Sequence, residues 1–284
     1  MIKSLLSVLA VACTAALPVS QSWADSTYQQ EVSVNYVIGK SDSVDQDVLL
    51  ASFTHYLSAV DTSNQPLQEA AFLQQASNIE AVIGSSSSDF GNQIESNGIP
   101  YGIGITYITP EQPVILSASY LRVSEDFDSP YHGDYTAKIL TLGVGYYLSD
   151  SFAAGITHTT QDTDVDFYGS DNSTAHETTL QAKYVASLSH GQYLNIEPSL
   201  SHVTGYGDAI DTLGVAGDFY INRNTSIGAE LSTIVSDQDG TAAGIRARTF
   251  ITDTASVAIA YTDNRIDDGD IKDTLLEISA ALRF

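Results

Sequence analysis

The chain is written in a two-residue rhythm along most of its length. In IPYGIGITYIT, which starts at Ile99, large side chains stand at Tyr101, Ile103, Ile105 and Tyr107, while Gly102, Gly104 and Thr106 fill the alternate positions. Leu140, Leu142, Val144 and Tyr146 alternate in the same way with Thr141, Gly143 and Gly145. Alternation of this kind places unlike side chains on opposite faces of a strand, so it predicts β structure and not helix. Fourteen such segments follow one another, from TYQQEVSVNYVIG to TLLEISAALRF, or twelve if the two weakest are not strands.

The connections between segments are sorted by length. TPEQP, SDS, SHG, NRN and TDT are short, and they alternate with longer acidic stretches such as SSSDFGNQIESNG, SEDFDSPYHGDY and QDTDVDFYGSDNSTAH. A soluble sandwich has no reason to sort its loops, whereas a membrane barrel has tight periplasmic turns and long external loops. The fold expected over residues 25–284 is therefore all-β: a transmembrane antiparallel up-and-down β-barrel of about fourteen strands, an even number that brings both ends of the sheet to one side.

Composition narrows the choice further. Hydrophobic residues make up 43% of the chain, too many for a disordered one. The N-terminal MIKSLLSVLAVACTAALPVSQSWA has Lys3, an apolar run from Leu5 to Leu17 and a small-x-small pattern at Ser22-Trp23-Ala24. A secretory signal peptide is expected over residues 1–24, with Asp25 opening the mature chain. The single cysteine, Cys13, goes with it, so burial and backbone hydrogen bonds must hold the mature fold without disulfides. The 11 Lys and Arg, one of them Lys3, face 35 Asp and Glu, and a chain with net charge −24 repels nucleic acid.

Alternation alone does not say whether the apolar face points inward or outward. A soluble barrel fills its interior with large side chains, while a wide barrel in lipid reverses this and keeps a polar lumen. The signal peptide, the sorted loops and the tyrosines near segment ends (Tyr101, Tyr107, Tyr120, Tyr146, Tyr184, Tyr261), which suit interfacial girdles, select lipid and the outer membrane. In hydrocarbon every backbone amide must pair, so the last strand has to meet the first. The last segment is well suited to this: Leu276, Ile278, Ala280 and Leu282 share one face, and Glu277, Ser279, Ala281 and Arg283 the other.

That terminal run, L276-E-I-S-A-A-L-R-F284, resembles the assembly signal of Gram-negative outer-membrane β-barrel proteins. The resemblance implies that Phe284 is read by the barrel assembly machinery. The segment DTSNQPLQEAAFLQQAS, which follows the second strand, is similar to one found in a family of general bacterial porins. It also breaks the rule of short periplasmic turns. Pro66 suits a helical first turn, Ser63 or Asn64 could cap it, and Leu67, Ala70, Ala71 and Leu73 give a partly amphipathic turn or two, so a short periplasmic helix is expected in the 61–77 connection. Two placements are open, a decoration under the rim or a plug in the lumen.

With the apolar face in lipid, the opposite face puts Glu80, Lys183, Glu197, Asp218, Glu230, Arg246, Arg248 and Glu277 in the lumen as candidate pore-lining residues. A hairpin across SDQDG that pairs Ser236 with Ala242 would set Glu230 opposite Arg248 and Ser232 opposite Arg246. Arginines facing acids could form the transverse field of a constriction. Equally, they could be cross-strand ion pairs that hold the wall together.

No cofactor or metal site is expected, because DDGDIKD at Asp267–Asp273 lacks the spacing and closing Glu of a calcium loop. Nor is a catalytic set expected. His158 and His202 fall on the outward face without the Ser-Asn that follows the histidine in outer-membrane phospholipases, and His132 in SPYHGDY is a weak echo of the Asp/His couple of outer-membrane proteases. The function expected is a porin-like passive channel for small hydrophilic solutes, and not an enzyme. The alternative is a lipase-type or protease-type barrel, or an adhesion or structural barrel with a closed lumen. The partners expected are outer-membrane lipid, lipopolysaccharide and the barrel assembly machinery.

Overall fold

Strands that cross hydrocarbon cannot leave an edge unpaired, and here the sheet leaves none. The computed structural model describes residues 27–41, 44–90, 94–128, 133–166, 170–205, 209–236, 240–266 and 271–284. The expected leader at 1–24, His132 and residues 267–270 of the DDGDIKD run lie outside these. The strands are β1 (Thr27–Ser41), β2 (Asp45–Asp61), β3 (Asn78–Asp89), β4 (Glu95–Ile108), β5 (Val114–Asp128), β6 (Gly133–Ser149) and β7 (Phe152–Asp166). They continue as β8 (Ser170–Ser187), β9 (Tyr193–Thr204), β10 (Ile210–Asn222), β11 (Thr225–Ile234), β12 (Gly240–Phe250), β13 (Ala255–Ile266) and β14 (Ile271–Arg283). Each pairs antiparallel with its neighbours in chain order, and β14 pairs with β1 to close the barrel. At the seam Glu31 lies opposite Arg283, Phe284 N donates to Gln30 O at 3.0 Å, and Phe284 O accepts from Gln30 N at 2.8 Å.

The strands run further than a membrane requires. β7 reaches Asp166 and β8 starts at Ser170, so most of the acidic QDTDVDFYGSDNSTAH stretch is paired strand and not loop. The same holds for β3 and β4, which pair as far as Asp89 and Glu95. Alternating Thr, Ser and Asp cannot enter lipid, but they keep the two-residue period, and an antiparallel hairpin can go on pairing in water. A segment length matched to bilayer thickness therefore stops the strands too early.

Facing outward is a continuous apolar band. On β4 it runs from Ile99 through Tyr101, Ile103 and Ile105 to Tyr107, all exposed. At about 3.3 Å per residue those nine positions span close to the ~25 Å band height of outer-membrane barrels once strand tilt is counted. All six tyrosines expected at the interfaces are exposed on this face. The band gives way to a polar row on β7 to β10 in which His158, Thr178, His202 and Asp211 are consecutive cross-strand partners.

One ladder is interrupted. β8 and β9 pair at Gln181–Ser199 and again at Tyr184–Ile196, with the two positions between them unpaired. Pro198 lies in that gap and has no N–H to give.

Candidate functional site: a charged wall closed by an inserted segment

The inner face of β8 to β14 carries most of the interior charge. Register sets Asp218, Gly228, Arg246, Ala260 and Glu277 side by side on β10 to β14. The next row toward the short turns holds Tyr220, Ser226, Arg248, Ala258 and Ser279. Small residues thus separate the large ones, so each charged side chain has a hollow to lie across.

Arg246 uses such a hollow. It reaches over Gly228 to hold Asp218 with both prongs of its guanidinium, Nε to Oδ1 at 2.9 Å and Nη2 to Oδ2 at 2.7 Å. A Cβ on Gly228 would stand 2.3 Å from Asp218 Oδ1 and 2.9 Å from Arg246 Cγ, so only glycine permits this two-pronged pair. Glu230 lies likewise over Gly244, whose Cβ would meet its Oε1 at 2.5 Å, and accepts from Thr262 Oγ1 at 2.8 Å.

The chain of contacts continues sideways. Asn195 Nδ2 donates to Glu197 Oε1 at 2.6 Å and lies 3.4 Å from Asp218 Oδ2. Glu197 pairs with Lys183 Nζ at 2.8 Å. The ammonium of Lys183 lies 2.8 Å from a second carboxylate, that of Glu69. A single polar network therefore runs from Glu69 to Thr262 along the inner wall.

The hairpin register differs from the sequence expectation. Glu230 faces Gly244, Gly228 faces Arg246 and Ser226 faces Arg248, so neither Glu230–Arg248 nor Ser232–Arg246 is a cross-strand pair. β11 parts from β12 early: Ile234 already faces Gly240, and Val235 N turns to β10, donating to Asp211 O at 2.8 Å. The observed register lets Glu230 and Arg246 lie over glycines, where the expected one would stack long side chains against each other. Glu80 stands apart on β3, between Thr54 and Gly104. Among the described residues Arg248 and Glu277 form no ion pair within 4.0 Å.

Glu69 belongs to the connection between β2 and β3. Asp61 Oδ1 accepts from Ser63 N at 2.8 Å to start the turn, and Asn64 takes a left-handed φ of 57°. Leu67–Glu69 then form a 3₁₀ turn that runs into a one-turn helix, α1 (Ala70–Leu73), and Gln75 with φ 50° ends it. Neither Ser63 nor Asn64 caps this helix; Pro66 precedes it in extended conformation without a side-chain cap. The capping role passes to the barrel, because Leu67 N donates to Arg223 O at 2.9 Å.

This connection crosses the barrel mouth on the side of the short turns. Phe72 meets the Tyr147 ring at 5.2 Å, and Tyr147 Oη donates to Phe72 O at 3.0 Å. Across the mouth, Leu67 O accepts from Arg283 Nη1 at 2.6 Å. Glu69 itself accepts from Tyr220 Oη as well as pairing with Lys183, and is 1% exposed. Leu67 and Ala70 are fully buried. Arg283, which also pairs with Glu31, is sandwiched between the rings of Tyr28 at 4.5 Å and Phe250 at 4.7 Å. Of the two placements open to the sequence, the segment takes the one inside the barrel.

Beyond the segment lies an internal cavity of about 640 Å³ lined by Phe72, Lys183, Glu197, Glu230, Thr262 and Asn264, among others. The sequence expectation omitted Glu69, Tyr220, Asn195 and Arg283. Arg283 shares the inward parity of Glu277 and was legible by that rule; Glu69 and Tyr220 depend on the segment turning inward. Glu125 was also omitted. It is 3% exposed and accepts from Ser86 Oγ at 3.1 Å and Ser96 Oγ at 3.2 Å inside the opposite wall.

The outward histidines are bonded locally. His158 Nδ1 is 3.0 Å from Thr178 Oγ1, and its ring stacks on His176 at 5.7 Å. His202 Nδ1 is 2.7 Å from Asp211 Oδ1. Among the described residues no cluster of three or more His, Cys, Asp or Glu is arranged to hold a metal.

Three solved barrels are similar to this chain in fold. The outer membrane protein Omp33 of Acinetobacter baumannii is 22% identical, with a TM-score of 0.57, and the match covers 91% of this chain and 99% of Omp33. The translocator domain of the autotransporter NalP from Neisseria meningitidis is 10% identical, with a TM-score of 0.50, covering 90% of this chain and 88% of that one. The toluene transporter TodX of P. putida is 8% identical, with a TM-score of 0.53, covering 91% and 90%. No curated protein sequence matches this chain. The family described as "Putative general bacterial porin" matches residues 1–284, the whole length. With a closed fourteen-stranded barrel, an apolar outer band and a charged interior, the chain belongs to that porin family and is a channel-type β-barrel of the bacterial outer membrane.

Proposed function

We propose that the protein is a passive channel for small hydrophilic solutes, narrowed at its periplasmic end by the 62–77 segment. One observation carries this reading: a cavity of about 640 Å³ inside the barrel has Lys183, Glu197 and Glu230 in its lining, where a narrow structural barrel would fill the space with side chains. Glu80, Lys183, Glu197, Asp218, Glu230, Arg246, Arg248 and Glu277 are its pore-lining residues. Their transverse field sorts solutes by charge, while several of the same residues also tie the wall together. The two roles weighed from the sequence are thus combined.

Planar-bilayer recording tests the proposal. Purified protein should give stable ohmic steps, and reversing both arginines in an R246E/R248E variant should shift ion selectivity toward cations. Unchanged selectivity in a folded variant would remove the constriction. The outward histidines act in this reading as an interfacial polar row and not as a catalytic set, so hydrolysis of lipid or peptide by silent protein would favour the enzyme alternative. The seam formed by Phe284 and Gln30 supports the terminal strand as the substrate of the barrel assembly machinery, and the acidic rim would share divalent cations with lipopolysaccharide. An F284D variant should lose heat-modifiable, membrane-assembled protein; full assembly would sink that role.

A further inference from the structure

Between the inserted segment and the wall lies a small second cavity of about 110 Å³. Gln68 from the segment, Asp218, Ser226, Arg246, Arg248, Glu277 and Ser279 supply its polar lining. Two of its charges are already spent on each other, since Arg246 holds Asp218 through two hydrogen bonds. Arg248 and Glu277 are not. They sit on β12 and β14, with only Ala258 and Ala260 of β13 between them, and neither makes a salt bridge within 4.0 Å among the described residues. The cavity therefore presents one cation and one anion that no close ion pair engages, and its remaining charges cancel.

We propose that this cavity is a subsite for a small zwitterion of the α-amino acid type, carboxylate toward Arg248 and ammonium toward Glu277. The proposal rests on the channel reading above and names the solute class that the channel selects. Charge arithmetic disfavours the simpler ligands: a lone anion would pair with Arg248 but leave Glu277 facing it uncompensated, and a lone cation would do the reverse. A zwitterion satisfies both at once. A guanidinium binds a carboxylate through two parallel hydrogen bonds, and the hydroxyls of Ser226 and Ser279 stand in the same row as Arg248 to take up further donors or acceptors. Size agrees with a compact solute, because about 110 Å³ amounts to three or four times the ~30 Å³ share of one liquid water. The position is also apt, since Gln68 makes the segment itself one wall of the site and its Oε1 accepts from Ser226 Oγ at 3.4 Å. A solute bound there touches both the barrel and the segment that narrows it.

Two measurements on the full-length folded protein test this. In proteoliposome swelling, the rate for L-alanine relative to D-arabinose should fall at least threefold in R248Q and in E277Q, and the double variant should be no worse than either single one. Ratios equal to wild type in both folded variants would overturn the subsite. Saturation-transfer NMR on detergent-solubilised barrel gives an answer independent of permeation. L-alanine should receive saturation from wild type and lose it in R248Q and E277Q, while acetate and methylammonium should show neither effect. Wild type that passes neither solute but binds L-alanine in this way would refute the channel and keep the subsite. Wild type that passes arabinose but shows no L-alanine transfer would do the opposite. Heat-modifiable migration identifies folded variants, and either single variant suffices should the other fail to fold.

Discussion

The two sides of the barrel wall solve the interior in opposite ways. On β8 to β14 the inner face carries Lys183, Glu197, Asp218, Glu230, Arg246, Arg248 and Glu277, and glycines 228 and 244 are the hollows that let two of these lie flat. On β4 to β7 the inner positions at mid-barrel are Gly104, Ser117, Gly143, Gly145, Gly155 and Thr157, with no charge among them. Glycine serves a different purpose there. Gly145 faces Gly155 directly, and a Cβ on Gly145 would meet Ala154 O at 2.9 Å, so the residue allows two backbones to approach closely. The comparison teaches that a polar lumen can be built either from compensated charge or from bare backbone and hydroxyls. Only the first kind can hold another piece of chain by ion pairing, and the inserted segment accordingly anchors Glu69 on the charged side while it offers the neutral side the ring of Phe72.

The strongest way to break this asymmetry is to remove its anchor. K183M leaves the carboxylate of Glu69, 1% exposed, without its cation, and losing one partner of a buried pair costs roughly 3–5 kcal/mol. The segment should undock, open-channel conductance should rise, and the urea midpoint of unfolding should fall. An E69Q/K183M double variant should recover most of the loss, because both halves of the pair then leave together. Recovery would be absent if Lys183 acted only through Glu197.

A smaller effect should follow from filling the hollow beneath Arg246. G228V drives a side chain into Asp218 and Arg246, and overpacking of this kind costs roughly 1–3 kcal/mol. Its expected signature is a lower unfolding midpoint together with altered selectivity. A change in stability alone would mean that the Arg246–Asp218 pair has no part in the field.

The smallest effect concerns the neutral wall. T157K adds a cation to the neutral wall, where the nearby carboxylate of Glu177, diagonal to it on β8, already accepts from Thr179 Oγ1 at 3.1 Å, so reversal potentials should move toward anion selectivity with little change in the unfolding midpoint. An equal and opposite shift in K183M, measured in the same salt gradient, would show that both walls face one aqueous path.

Much of this architecture is legible in the sequence alone. Fourteen alternating segments, sorted turns and a terminal strand bearing Phe284 specify a closed barrel, because unpaired amides have no place in lipid. The inward parity of each candidate residue also followed from the two-residue period. Register did not. A hairpin that shifts by an even number of residues keeps every side chain on the same face, so periodicity cannot tell Glu230 opposite Arg248 from Glu230 opposite Gly244. The extent of the strands was hidden for a related reason, since Thr-rich and Asp-rich ends obey the same alternation outside the membrane as apolar residues do within it.

The sequence by itself determined the class of fold and the face that meets lipid, because both depend on local period and on the cost of polar groups in hydrocarbon. Only the tertiary structure decided which interior charges are spent on each other and where the 62–77 segment goes. No Lys or Arg stands between Lys40 and Arg122 in the sequence around Glu69, yet Glu69 meets Lys183 and Tyr220, 114 and 151 residues further along the chain, because closing the sheet brings β2, β8 and β10 around one mouth.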